Sequence, residues 1–64
     1  MKLKVTGMSC PNCVRHVTEA IEALPGAENV RVDLELGEAE FDGVEADAAI
    51  AAIEEEGYEA AVLS

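Results

Sequence analysis

The sequence has no tryptophan, one tyrosine, one phenylalanine, two prolines and two cysteines among its 64 residues. Each shortage removes a class of protein. Two cysteines three positions apart close at most a tiny loop. No disulfide framework of the kind that holds small secreted scaffolds is available, and the chain must fold on an apolar core. Basic residues are equally scarce: Lys2, Lys4, Arg15 and Arg31 stand against 14 Asp and Glu, for a formal net charge of −10. Phosphate backbones are bound by clustered Lys and Arg, so nucleic acid is excluded as a partner, and an anionic bilayer is repelled by the same charge. No apolar run approaches the ~20 residues that cross a membrane, and no apolar leader precedes the first patterned segment. These features are those of a cytosolic protein in a reducing compartment, without direct membrane insertion. A chain this short is expected to form one domain, 1–64, and to bury only ~60% of its unfolded surface. That leaves no room for a deep enclosed active site. Its chemistry must lie near the surface, and we expect no enzyme.

The apolar pattern has six segments. Leu3 and Val5 alternate with Lys2 and Lys4 as in a half-buried strand, which Gly7 ends. From Pro11 the period changes. Val14, Val17, Ile21 and Leu24 fall within roughly 80° on a helical wheel, and Pro25-Gly26 stops that helix. Val30, Val32 and Leu34 alternate, then Ala39 and Phe41, with a turn at Gly37 between them, which predicts a β-hairpin. Ala46, Ala49, Ile50 and Ile53 share one face of a second helix, with Glu45 or Asp47 as cap, ending before Gly57. Residues 58–63 form a last strand whose inward face is either Ala60/Val62 or Ala61/Leu63. The order βαββαβ, with right-handed crossovers, predicts an α+β, ferredoxin-like fold: a four-stranded antiparallel sheet with two helices on one face.

The segment Gly7-Met8-Ser9-Cys10-Pro11-Asn12-Cys13 lies between the first strand and the first helix. Pro11 holds Cys10 extended and is itself suited to the first helical turn, which also takes in Cys13. Both sulfurs then face one point at a helix N-terminus, where unpaired N–H groups and the helix dipole favour thiolates. Two thiolates on an exposed loop suit Cu(I), a soft ion that two sulfur donors satisfy, whereas structural zinc usually takes four ligands. A two-coordinate ion at the surface also leaves room for an incoming third sulfur. The same CxxC at a helix start serves thiol oxidoreductases, but 64 residues are too few for a thioredoxin core. His16, one helical turn beyond Cys13, is a conceivable third ligand on a helix surface.

Gly7-Met8-Ser9-Cys10-x-x-Cys13 resembles the GMxCxxC motif of the heavy-metal-associated domain family. The likeness extends along the chain through the first helix, the Pro25-Gly26 break, the Val30/Val32/Leu34 strand and Gly57-Tyr58. Within the family it is most similar to the stand-alone, CopZ-like Cu(I) chaperones of bacteria and archaea. The resemblance implies Cys10 and Cys13 as copper ligands, Met8 as a buried anchor of the loop, and Tyr58 approaching the site from the loop before the last strand. Ser9 is placed to hydrogen-bond a thiolate or to help cap the helix, Met8 is read as core rather than as a thioether ligand of copper, and Tyr58 either tunes the site or caps the hydrophobic edge with its hydroxyl in water. No carboxylate neighbours the CxxC, as it often does in members selective for zinc, cadmium or lead, which favours copper. The mercury-scavenging members share the motif but carry signal peptides.

The resemblance thus implies a cytosolic copper(I) chaperone that binds one Cu(I) through Cys10 and Cys13. It passes the ion by ligand exchange to the soluble metal-binding domain of a copper-transporting P-type ATPase. The protein is expected to be monomeric, with a copper-bridged dimer through four thiolates as the other possibility. The close alternative is a metal-binding domain excised from such an ATPase, and the distant one a small CxxC thiol oxidoreductase.

The acidity has two readings: a solvated face that keeps a small domain apart from its copies, or adaptation to concentrated salt, which screens repulsion among eleven glutamates. On the second reading the thermal unfolding midpoint rises as salt is added. A midpoint that falls with salt rules that reading out.

Overall fold

A computed structural model describes residues 1–63; Ser64, the last residue of the expected domain, lies outside the described residues. The elements are β1 (Lys2–Thr6), α1 (Pro11–Glu22), β2 (Glu28–Asp33), β3 (Glu38–Asp42), α2 (Ala46–Glu55) and β4 (Glu59–Val62). The strands form one antiparallel sheet in the order β2-β3-β1-β4. This is the ferredoxin-like arrangement expected from the sequence pattern.

One face of the sheet is covered because alternation along each strand puts the apolar residues on the same side. Leu3 and Val5 of β1 and Ala39 and Phe41 of β3 are fully buried under Val17 and Ile21 of α1 and Ala49 and Ile53 of α2. Burying a side chain of the Leu, Ile or Phe class contributes about 1.5–3 kcal/mol, so these few residues carry most of the folding energy. No polar or charged residue among those described is buried. Met8, Leu24, Val30, Val32, Ile50, Tyr58 and Ala60 pack around the edge of the core.

Four local features that the sequence pattern placed differently or left open have simple causes. Helix α1 ends at Glu22 with Ala23 as C-cap, before the Pro25-Gly26 break, because Pro25 disfavours helical geometry at Leu24. Leu24 still packs on the core edge from the turn that follows. Leu34 lies past the end of β2 and is 37% exposed, since the chain turns after Asp33 and the Leu36 amide donates to the Asp33 carboxylate. Helix α2 starts after Glu45, whose side chain makes no capping bond, while Asp47 supplies negative charge in the first turn. On β4, pairing of Val5 with Ala60 and Leu3 with Val62 selects the Ala60/Val62 face. Val62 is nevertheless 55% exposed on this edge strand.

The topology gathers three loops at one end. β1 and β2 both run antiparallel to β3, so the β1–α1 loop and the β2–β3 turn lie together, tied by the Val5 amide donating to the Gly37 carbonyl at 2.7 Å. Thr6 pairs with Glu59, which brings the α2–β4 loop to the same end.

At the opposite end Gly26 and Gly43 meet backbone to backbone. Both have positive φ, and a Cβ on Gly43 would overlap the Gly26 carbonyl oxygen, while one on Gly26 would lie 2.9 Å from the Gly43 carbonyl oxygen. Gly43→Ala is therefore expected to destabilise by about 2 kcal/mol or more in urea unfolding. Gly57→Ala, with positive φ but open space, should cost only about 1 kcal/mol.

Candidate metal centre

The loop between β1 and α1 is short and its geometry is dictated residue by residue. Gly7 turns the chain out of the sheet at φ 103°, where a side chain is strained, and leaves space for the Tyr58 ring. Met8 is half-buried against the core, so the loop is pinned at its first step. Ser9 is exposed. Cys10 is the N-cap of α1 in extended conformation, φ −156° and ψ 163°, as expected for a residue before proline. Pro11 takes the first helical position and Cys13 the third, and the Cys13 and Val14 amides donate to the Cys10 carbonyl at 3.0 and 3.3 Å.

This places the two thiol sulfurs 3.2 Å apart, both half-buried. The Cys13 thiol is pulled from its ordinary 9.0 down to about 6. The largest cause is the Ser9 backbone amide, which donates to its sulfur; the Tyr58 hydroxyl is next, then the Cys10 thiol, with partial burial opposing them. The conjugate effect appears on Tyr58, whose hydroxyl is pushed up to about 12 by that bond to Cys13, by burial, and by the negative charges of Cys13, Cys10 and Glu56. A phenol that donates to a thiolate holds its proton more firmly, so the two shifts describe one interaction.

The structure brings Cys10, Cys13 and Tyr58 together, with Met8 beneath the loop. The serine contribution comes from an unexpected atom. The Ser9 backbone N–H reaches Cys13, while α1 has no side-chain capping bond. Sequence cannot reveal this, because an amide belongs to every residue but proline and its direction is set by the turn. His16 is exposed on α1, and among the described residues no group of three His, Cys, Asp or Glu side chains is placed to share a metal. The arrangement therefore offers two soft donors, one of them ionised near neutral pH, to an ion that accepts low coordination.

The Cys13 shift has a definite sign in folding. Between pH 6 and pH 9 the folded protein holds fewer protons than the unfolded chain. The contribution to stability is therefore present above pH 9 and is lost as pH falls through about 6. Tyr58 contributes below pH 10 and loses its contribution as pH rises towards 12. Chemical unfolding of the reduced, metal-free protein should accordingly show stability rising from pH 6 to pH 9. Ultraviolet titration of the thiolate in Tyr58→Phe should show Cys13 ionising at higher pH than in the unaltered protein; an unchanged curve would mean that the hydroxyl does not act on the sulfur.

A family model described as heavy-metal-associated domain matches residues 2–59. Mercuric reductase of Lysinibacillus sphaericus is 40% identical over 62 residues, covering 92% of this chain and 11% of that protein. Copper-transporting ATPase 1 of Rhizobium meliloti is 39% identical over 62 residues, covering 92% of this chain and 8% of that protein. The chain thus spans only a small part of these relatives. Among solved structures, a CopZ metallochaperone superposes with a TM-score of 0.84 at 32% identity, over 95% of this chain and 97% of that one.

Proposed function

The chain belongs to the heavy-metal-associated domain family, and we propose that within it this protein is a cytosolic copper(I) chaperone with no catalytic activity of its own. The observation that carries the reading is the half-buried thiol pair at 3.2 Å at one end of the fold, with no third His, Cys, Asp or Glu placed to share a metal among the described residues. Cu(I) is the substrate in this reading. It lies between Cys10 and Cys13, and the lowered Cys13 pKa offers it one sulfur already ionised at neutral pH. Two coordination leaves the ion open on its solvent side. An incoming thiolate from a CxxC on the acceptor binds there, one protein thiolate leaves, and a second exchange completes transfer with no change in oxidation state. Similarity to a metallochaperone supports the chaperone role, and similarity to copper-transporting ATPases supports such a pump as source of the acceptor domain. The protein acts as a monomer, with four thiolates bridging two copies only when copper is scarce relative to protein.

A second reading has its own support. The mercuric reductase of Lysinibacillus sphaericus is as similar as the ATPases are, and Hg(II) also accepts two thiolates. In that reading this chain is the segment that hands Hg(II) to a reductase. No arrangement of two sulfurs alone distinguishes the ions, so the acceptor decides.

Anaerobic titration of the reduced protein with Cu(I) against a competing chromophoric chelator should show one tightly held ion per chain, and Cys10→Ser and Cys13→Ser should each lose it. Uptake indifferent to either cysteine would sink the dithiolate reading. The two metal readings separate on handover. Rapid transfer of Cu(I) to the soluble domain of a copper-transporting ATPase supports the first. Productive transfer only of Hg(II), to a mercuric reductase stripped of the matching segment, supports the second. Insulin reduction with turnover would point to a thiol oxidoreductase.

A further inference from the structure

The sheet has two edges, β2 and β4, and they are finished differently. A strand edge presents backbone N–H and C=O groups that pair with any extended chain able to reach them, and soluble proteins blunt such edges with bulges and charge. The β2 edge is blunted in both ways. Its pairing with β3 shifts register between Glu28 and Arg31, where Asn29 takes a positive φ of 53° and its side-chain amide donates to the Asp42 carboxylate at 3.2 Å. Glu28, Arg31 and Asp33 add charge along it. The β4 edge has neither device. Its pairing with β1 runs without a shift from Glu59 to Val62, and from Ala60 to Leu63 the chain has no charge, proline or glycine.

Register settles which backbone groups on β4 are free. The Leu63 amide donates to the Lys2 carbonyl at 2.9 Å, so Leu63 faces Lys2 as a hydrogen-bonded pair. Such pairs alternate along an antiparallel ladder, which makes Lys4–Ala61 and Thr6–Glu59 the other bonded pairs. Ala60 and Val62 therefore turn their N–H and C=O away from β1, to the open side, where no strand among the described residues meets them. Beside those free groups, Val62 is 55% exposed on the covered side of the sheet; Leu63, 48% exposed, and Ala61, also exposed, lie on the other side. The row offers unpaired backbone groups with apolar side chains on both faces.

We propose that the β4 edge takes on an added strand, an extended segment of a partner protein with apolar residues between basic ones. Backbone bonds to Ala60 and Val62 hold it, and its side chains lie against Val62 on one face and against Ala61 and Leu63 on the other. The basic flanks follow from charge. Glu59 opens the strand and the chain carries −10, so an acidic segment is repelled, and a second copy brings the same −10 to the same edge. Strand β4 leads away from the thiols, from Glu59 beside Thr6 towards Val62 beside Leu3. A partner held there leaves the thiol loop open, so this surface tethers the domain and takes no part in metal exchange.

The probe is a synthetic peptide of alternating valine and threonine between terminal lysines, added to the reduced, metal-free protein at low salt. At about ten times its Kd, water exchange of the Ala60 and Val62 amides measured by NMR should slow by about tenfold, while the Ala61 and Leu63 amides, already bonded to β1, keep their rates. The same peptide with its backbone amides methylated should not bind. Val62→Pro removes a free N–H without removing a bond to β1, so it should keep the amide spectrum of the rest of the sheet and weaken the peptide by about tenfold. If that variant unfolds, the methylated peptide decides alone. Undiminished binding of the methylated peptide, protection appearing on β2 instead, equal binding of a glutamate-flanked peptide, or self-association through β4 in sedimentation each overturn the proposal. Copper uptake by Val62→Pro should equal that of the unaltered protein, so failure of the added strand leaves the metal reading standing.

Discussion

The pairing of Thr6 with Glu59 across β1 and β4 is the constraint on which the metal centre depends. It fixes where the last strand begins relative to where the first strand ends. The loop that carries Tyr58 therefore comes to rest against Gly7 and the sulfur of Cys13. A slip of one residue would turn Ala60 outward and take the tyrosine away from the thiols. The register is that of the β1–β4 pairing, in which Ala60 lies opposite Val5 on the covered side of the sheet. Strand pairing thus sets the electrostatics of a surface site.

A thiolate is an unexpected group to stabilise on a chain of charge −10. Global charge acts weakly here because exposed charges beyond roughly 8 Å are screened at physiological ionic strength. What acts on Cys13 is within hydrogen-bond reach: the Ser9 amide, the Tyr58 hydroxyl and the Cys10 thiol, in that order of effect. Carboxylates are absent from the first 18 residues, and Glu56, just past α2, is the smallest of the influences on Tyr58. Short-range dipoles outweigh a large but distant net charge.

The same local economy explains why one module appears in proteins that handle different metals. Mercuric reductases and copper-transporting ATPases are both related to this chain over nine-tenths of its length. The site consists of a thiol pair on a loop pinned by Met8 and a tyrosine, and such a site accepts soft ions as a class. With eight buried residues among those described, the domain has little interior in which to build selectivity.

Much of this was legible in the sequence. Period-two alternation at Leu3/Val5 and Ala39/Phe41, and period-3.6 spacing at Val17/Ile21 and Ala49/Ile53, determined the fold, because burial of one face is a strictly local signal repeated in four elements. Pro11 after Cys10 determined that the two sulfurs share a helix start. The strand position expected for Leu34 was not realised, since a turn anchored on Asp33 ends β2 one residue earlier. The inward face of β4 was undecided in the sequence, because Ala60, Ala61, Val62 and Leu63 are all apolar; cross-strand register with β1 decided it. Tertiary structure alone decided that the Ser9 amide and the Tyr58 hydroxyl converge on Cys13. Those meetings join residues distant in the chain or depend on the direction of a backbone N–H, and neither leaves a periodic trace in the order of side chains.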